Sequence, residues 1–321
     1  MAEIVMVHGI DHEHDTASAL ENEWLPALAG GLAKIGNEEL GKALWNRGGA
    51  GSVDARMAFY GDLFLTPEGE GLSPEQQREL ARRNDTVDRA TAISLLSNAT
   101  ASEDPRDRAV AAEELPGILA RPPDEMGVGE ARDRVAQALL RLPYFGGAAM
   151  GAAGVVKPPV RQISRYLNES ALRRGIFDRF NSLVDDRTRV VIAHSLGCVI
   201  AYEALVERAE ARRSERIDLL LTLGSPLALG PVYKRLSRRP RQAPVLVRRW
   251  VNIAAMNDTV AARGDHTLRF PDAYPHDPAR RVEMTDVPVR VDNGSVSHAC
   301  VRYLAKKVCA YHVEKALTGS R

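Results

Sequence analysis

The stretch that most narrows what this chain can fold into is residues 188–206. Arg189-Val190-Val191-Ile192-Ala193 is a short, β-branched, apolar run, the pattern of a strand buried on both faces of a parallel sheet. Val199-Ile200-Ala201-Tyr202-Glu203-Ala204-Leu205-Val206 follows with helical spacing and no breaker. Between them lies a single serine, Ser195, with Ala193 two residues before it and Gly197 two residues after. A strand that turns at once into a helix holds the residue at the turn in a strained conformation at the carboxyl end of the sheet. Its neighbours must be small, because strand and helix close on each other there. The plainer reading is a serine that caps an ordinary helix.

Other segments repeat the buried-strand pattern. Ile4-Val5-Met6-Val7 runs into His8-Gly9-Ile10, and Arg56-Met57-Ala58-Phe59-Tyr60 into Gly61-Asp62. Leu219-Leu220-Leu221-Thr222-Leu223 ends at Gly224-Ser225-Pro226, and Arg249-Trp250-Val251-Asn252-Ile253-Ala254 precedes Asn257-Asp258. Val287-Pro288-Val289-Arg290-Val291 is a last short strand before Asn293-Gly294. Helices are expected over 18–32, 168–181 and 299–317, and strands alternating with helices point to an α/β fold with a mostly parallel sheet.

The small-x-Ser-x-Gly turn between strand and helix, together with an early strand ending in His8-Gly9, resembles the α/β-hydrolase superfamily over roughly residues 1–65 and 170–321. Ala193 stands where the family more often has its first glycine. The resemblance implies a serine hydrolase with a Ser-His-Asp triad, in the chain order nucleophile, acid, base. Carried over, Ser195 is the nucleophile, Asp258 the acid past a later strand, and His298 the base before the final helix. The backbone N–H groups of Ile10 and Leu196 would form the oxyanion hole. The competitors are weaker by position: His266, His276 and His312 as base, and Asp265 or Asp218 as acid. His194 is adjacent to the serine, and neighbours on a tight turn point apart.

Residues 66–170 differ in character, with charged helical stretches and Pro/Gly breaks. They read as a helical insert, or cap, between the two halves of the core (1–65 and 171–321). Ser73-Pro74-Glu75-Gln76 opens a helix with a capping box and a proline at its first position. Further helices are expected at 104–115 and 130–142. The apolar, small-residue stretch 145–156, with Gly147, Gly151 and Gly154, is either a connector or the wall of an acyl pocket; we expect it to line or gate the pocket.

The implied reaction is hydrolysis of carboxylic esters of apolar acyl groups, with a small-molecule acyl substrate and no cofactor. The same triad would serve a thioesterase, lipase or peptidase, and the fold also suits a non-catalytic receptor or scaffold. A formal net charge of +1 gives no argument for nucleic acid or an anionic membrane. Asp11-His12-Glu13-His14-Asp15 has metal-binding side chains, but adjacent residues converge poorly on one ion, so a solvated loop and helix start is expected there and no metal. Three cysteines without a C-x-x-C suggest a reducing interior. No apolar run reaches membrane-spanning length, and a strand at once after the start leaves no room for a signal; the expectation is a soluble, cytoplasmic protein. Arginine and alanine richness suggests a bacterial source. Residues 234–249, rich in arginine and proline, are read as a solvated loop, with an anion-binding face as the alternative.

Overall fold

The computed structural model describes residues 2–46, 51–120, 128–142, 160–211, 215–237, 241–261, 266–294 and 296–319. Six parallel strands form one open sheet in the order β2-β1-β3-β4-β5-β6. They are β1 (Ile4–Val7), β2 (Ala55–Met57), β3 (Val190–His194), β4 (Ile217–Leu223), β5 (Val247–Ala255) and β6 (Glu283–Val291). The chain steps outward from β1 to β2, returns to lay β3 on the other side of β1, and then adds β4 to β6 in sequence. Such a reversal leaves a crevice at the carboxyl ends of β1 and β3, where neighbouring connections part to opposite faces of the sheet.

Parallel strands covered on both faces read as continuous apolar runs, and alternate side chains here enter two separate cores. Ile4, Met6, Val190, Ile192, Leu219 and Leu221 face one layer of helices. That layer is α1 (Ala17–Ala33), α2 (Glu38–Trp45), and two helices near the end of the chain, Cys300–Leu304 and Lys307–Thr318. Val5, Val7, Val191, Ala193 and Leu220 face the opposite layer. It contains α3 (Pro74–Ala99), α4 (Pro105–Leu119), α5 (Val128–Leu140), α6 (Arg161–Asn168), α7 (Ser170–Asn181) and α8 (Leu196–Glu210). The short helices α9 (Gly230–Tyr233) and α10 (His266–Arg269) follow, so the two near the end are α11 and α12.

The capping box opens α3 as expected: Ser73 Oγ accepts from Gln76 N and Gln76 Oε1 from Ser73 N. The described helices of the 66–170 stretch share a core cluster with the sheet face instead of enclosing one of their own. Polar ties fix them. Arg161 on α6 binds Glu68, Asp85 and Asp88 at 2.6–3.0 Å. Tyr166 donates to Glu203 Oε2 of α8 at 2.7 Å. Glu203 is itself buried and also accepts from Ser237 N at 2.6 Å, so removing its donors would strand a buried carboxylate. Residues 145–156 lie outside the described residues.

Several element boundaries differ from expectation: β4 begins at Ile217, β5 at Val247 and β6 at Glu283, ahead of the apolar runs from 219, 249 and 287. The second strand ends at Met57, because Tyr60 turns inward to donate its N–H to His8 Nε2. The helix expected over 168–181 runs from Ser170 to Asn181, and Glu169, which leaves helical geometry (φ −99°, ψ 98°) and pairs with Arg165 at 2.6 Å, parts it from α6. The helix expected over 299–317 is two, α11 and α12. Leu304 O lies 2.7 Å from where a Cβ on Gly31 would stand, and Lys34 Nζ donates to Ala305 O, so α1 takes up the carbonyls at the break. No described helix is long and apolar enough to cross a membrane.

Candidate functional site

Ser195 stands at the end of β3 with φ 54° and ψ −126°. Among the described residues only one other non-glycine has positive φ, Asp11 at 64°, two residues beyond Gly9. Such conformations cost about 1–3 kcal/mol each and persist only where the surroundings impose them. Both occur at the carboxyl edge, on the loops that leave β1 and β3.

The small residues around the serine have steric causes. A Cβ on Gly197 would lie 2.3 Å from Val7 O and 2.4 Å from His8 O, so α8 can begin this close to β1 only with glycine. A Cβ on Gly9 would meet Ser195 Cβ at 2.9 Å and Ser195 Oγ at 3.5 Å. The His8-Gly9 strand end and the serine turn are therefore in direct apposition. Leu196 opens α8, and Ile10 sits buried beyond Gly9.

Asp258 follows β5 and His298 follows β6, so both reach the same edge of the sheet. His298 Nδ1 donates to Asp258 Oδ2 at 2.6 Å. The carboxylate is held on every side: Oδ2 also accepts from Tyr303 Oη at 2.5 Å, and Oδ1 accepts from Val260 N at 2.9 Å and Ala261 N at 3.0 Å. A buried carboxylate left without such donors would carry the full cost of its lost hydration. With Nδ1–H committed to Asp258, the imidazole presents Nε2 as its basic nitrogen. Gly224, at the end of β4 with φ 57°, packs against this pair. A Cβ there would lie 2.8 Å from Asp258 Oδ2 and 2.9 Å from His298 Nδ1. Ser195 N donates to Leu223 O, which places the serine beside the same glycine turn.

Two histidines near the serine act as neutral braces. His194 Nε2–H donates to the carbonyl of His298 at 2.7 Å, and the two rings are 4.6 Å apart. Burial, reinforced by His298, pushes the His194 imidazole well below its ordinary value. His8 stacks on Tyr60 at 3.9 Å, accepts Tyr60 N–H at Nε2 and donates from Nδ1 to Gly9 O. Burial above all, and then His12, lowers His8 to about 3, so it stays the neutral Nδ1–H tautomer. Tyr60 Oη closes the loop by donating to His8 O at 2.5 Å. Cys198 lies beneath the turn, with Sγ donating to Ala193 O; burial pushes its thiol up to about 12, so it holds no thiolate.

The structure thus brings Ser195, Gly9-Ile10, Leu196, Asp258 and His298 to one edge of the sheet. The alternatives are elsewhere. His266 is buried against Trp250 and Phe270 and within 3.3 Å of Asn252. His276 lies beside the start of β6 and His312 within α12. Asp218 pairs with Arg189 at the amino end of β4, and Asp265 lies outside the described residues. In the 11–15 run, His12 is bonded to Asp15 at 2.7 Å and Glu13 to Gln162 at 2.8 Å. Sequence reasoning missed Tyr303, Gly224, Tyr60, and the bracing parts of His8 and His194.

Ser195 is 2 % exposed and His298 is fully buried. The end of α3 docks on the loop that carries Asp258. Asn98 Nδ2 donates to Thr259 O at 3.0 Å, and Glu103 N donates to Asn257 Oδ1 at 3.1 Å. Comparison of the chain with protein-family models, with curated proteins and with solved structures returns no match.

Proposed function

We infer that this chain is a serine hydrolase of α/β-hydrolase type that cleaves carboxylic esters of apolar acyl groups. One observation carries the reading. A serine in forced backbone geometry occupies the sheet's switch point, and a buried Asp258–His298 pair, joined by a hydrogen bond at His298 Nδ1, reaches the same edge. A serine hydroxyl is a weak nucleophile, so turnover needs a base, and the base needs an acid that fixes its tautomer.

In this reading Ser195 Oγ attacks the acyl carbonyl and its proton passes to His298 Nε2. Asp258 holds the Nδ1–H tautomer and stabilises the imidazolium as it forms. The amides of Ile10 and Leu196 receive the oxyanion, and the His8–Tyr60 clamp holds the loop that carries Ile10. His298 then gives its proton to the leaving alkoxide. Water repeats the sequence on the acyl-enzyme and frees the acid. The closed site requires the helices over the sheet edge to yield before an ester reaches Ser195. The helical layer joined to the Asp258 loop is the part of the 66–170 insert that caps the site.

The test is hydrolysis of 4-nitrophenyl esters from acetate to decanoate. Turnover should favour short to medium apolar acyl chains over charged ones, and it should vanish in folded Ser195→Ala and His298→Ala. Absence of esterase activity across the series, or turnover that survives both substitutions, would refute the reading.

A further inference from the structure

A second concave site lies at the opposite, amino edge of the sheet. It is a cavity of about 850 Å³ formed where strands begin. Arg189 precedes β3, Arg216 precedes β4, Arg248 and Arg249 open β5, Arg281 lies just before β6, and Lys315 comes from α12. Parallel register sets these strand starts side by side: Leu219 pairs with Arg249, and Arg249 with Glu283.

Against these six cations the lining holds two carboxylates, Asp218 and Glu283. Asp218 is engaged by Arg189 at 2.9 Å and by Arg248 at 3.5 Å. Asp272 and Asp277 stand near Arg216, but their carboxylates already accept backbone N–H groups of Tyr274, Val282 and Ala279. Arg189 also holds the end of α12 through Leu317 O and Gly319 O, and Arg216 donates to Val245 O and Arg281 O. Among the described residues, Arg249, Arg281 and Lys315 have no ion-pair partner within 4 Å. The crowding is felt electrostatically. Burial first, and then Arg248, lowers the Arg216 guanidinium, while burial followed by Arg249 and Lys315 lowers His312. Like charges gathered in a concavity with low-dielectric walls attract and concentrate anions. Guanidinium groups match phosphate oxygens in geometry as well as charge. Pro275, Pro278, Ala279 and Ala316 give the cavity an apolar flank beside the cations.

We propose that this cavity is an anion site that binds a phosphate group through Arg249, Arg281 and Lys315, the apolar flank taking the organic part of a small phosphorylated molecule. It is separate from the Ser195 edge. The seven residues of β4 run between the two, about 20 Å at the usual strand rise.

Isothermal titration with inorganic phosphate, phenyl phosphate and phenol tests it. Wild type and Ser195→Ala should bind the two phosphates saturably at one site per chain, and phenol not at all. Arg249→Gln should weaken binding about tenfold or more, as loss of a charge-assisted contact implies. The exposed pair Arg281→Gln/Lys315→Gln should do the same without disturbing the fold, and salt should weaken binding in wild type. Phenyl phosphate binding more tightly than phosphate identifies a phosphorylated small molecule, and equal affinity identifies the free anion; both support the site. No saturable binding of either phosphate, unchanged binding in both variants, or loss of binding in Ser195→Ala would overturn it.

Discussion

Gly224 is the position where a single methyl group should separate fold from activity. Its φ of 57° is a left-handed geometry that costs a non-glycine residue about 1–2 kcal/mol. The added Cβ would also stand 2.8 Å from Asp258 Oδ2 and 2.9 Å from two atoms of the His298 ring, where ordinary contact begins near 3.4 Å. Relief requires a shift of about half an ångström, and the groups that must yield are the two whose hydrogen bond would orient the proposed base. Misplacement on the scale of an ångström costs about 10²-fold in rate. Gly224→Ala should therefore lose about 1–3 kcal/mol in urea unfolding and fall about 10²-fold in ester turnover. Gly230→Ala is the control, because a Cβ there has open space and no positive φ is involved; it should match wild type in both assays. If Gly224→Ala turned over esters at the wild-type rate, the placement of His298 and Asp258 around this turn would have no catalytic meaning.

Two further predictions concern the braces around the site. Tyr303→Phe keeps the packing but removes a donor from Asp258 Oδ2 and the acceptor of Ala255 N–H. A loss of about 1–3 kcal/mol in denaturant unfolding is expected for a buried N–H left unsatisfied. Turnover should fall far less than the roughly 10⁴-fold expected for Asp258→Asn, and equal losses in the two would contradict the bracing assignment. His8 is lowered to about 3 from an ordinary value near 6.5, so the unfolded chain binds its proton first. Its contribution is complete above about pH 6.5 and is lost as the pH falls towards 3. Unfolding free energy should drop by about 2 kcal/mol between pH 8 and pH 5 from this residue, and His8→Gln should flatten that slope.

Much of this was legible in the sequence because buried parallel strands are apolar runs whose ends fall at glycine. The bounds of β1, the approximate place of β3 and the end of β4 follow from the apolar pattern, as does the requirement for a small residue at Gly197. Asp258 and His298 were singled out through the order that the α/β-hydrolase resemblance implies, and the parallel sheet sets both past strands that end at the same edge. The braces were not. Tyr303 sits within the apolar face of a terminal helix, and only the fold brings its hydroxyl to a carboxylate 45 residues away. His194 is held by the carbonyl of His298, a residue about a hundred positions further along the chain. The helix break after Leu304 is set by contacts with α1, which local periodicity does not register. The arginines of the amino edge are far apart in sequence, and their common feature, a place at or just before a strand start, acquires meaning only once the strands are in register.

The most direct test of the account is the intact mass of the protein after reaction with a small fluorophosphonate, followed by peptide mapping of the adduct. Only a serine activated by its base reacts readily, so the account predicts one phosphonyl group per chain, located on Ser195. It predicts no adduct in folded Ser195→Ala and strongly slowed labelling in His298→Ala. An adduct on another residue, or an unmodified Ser195 in active protein, would contradict it.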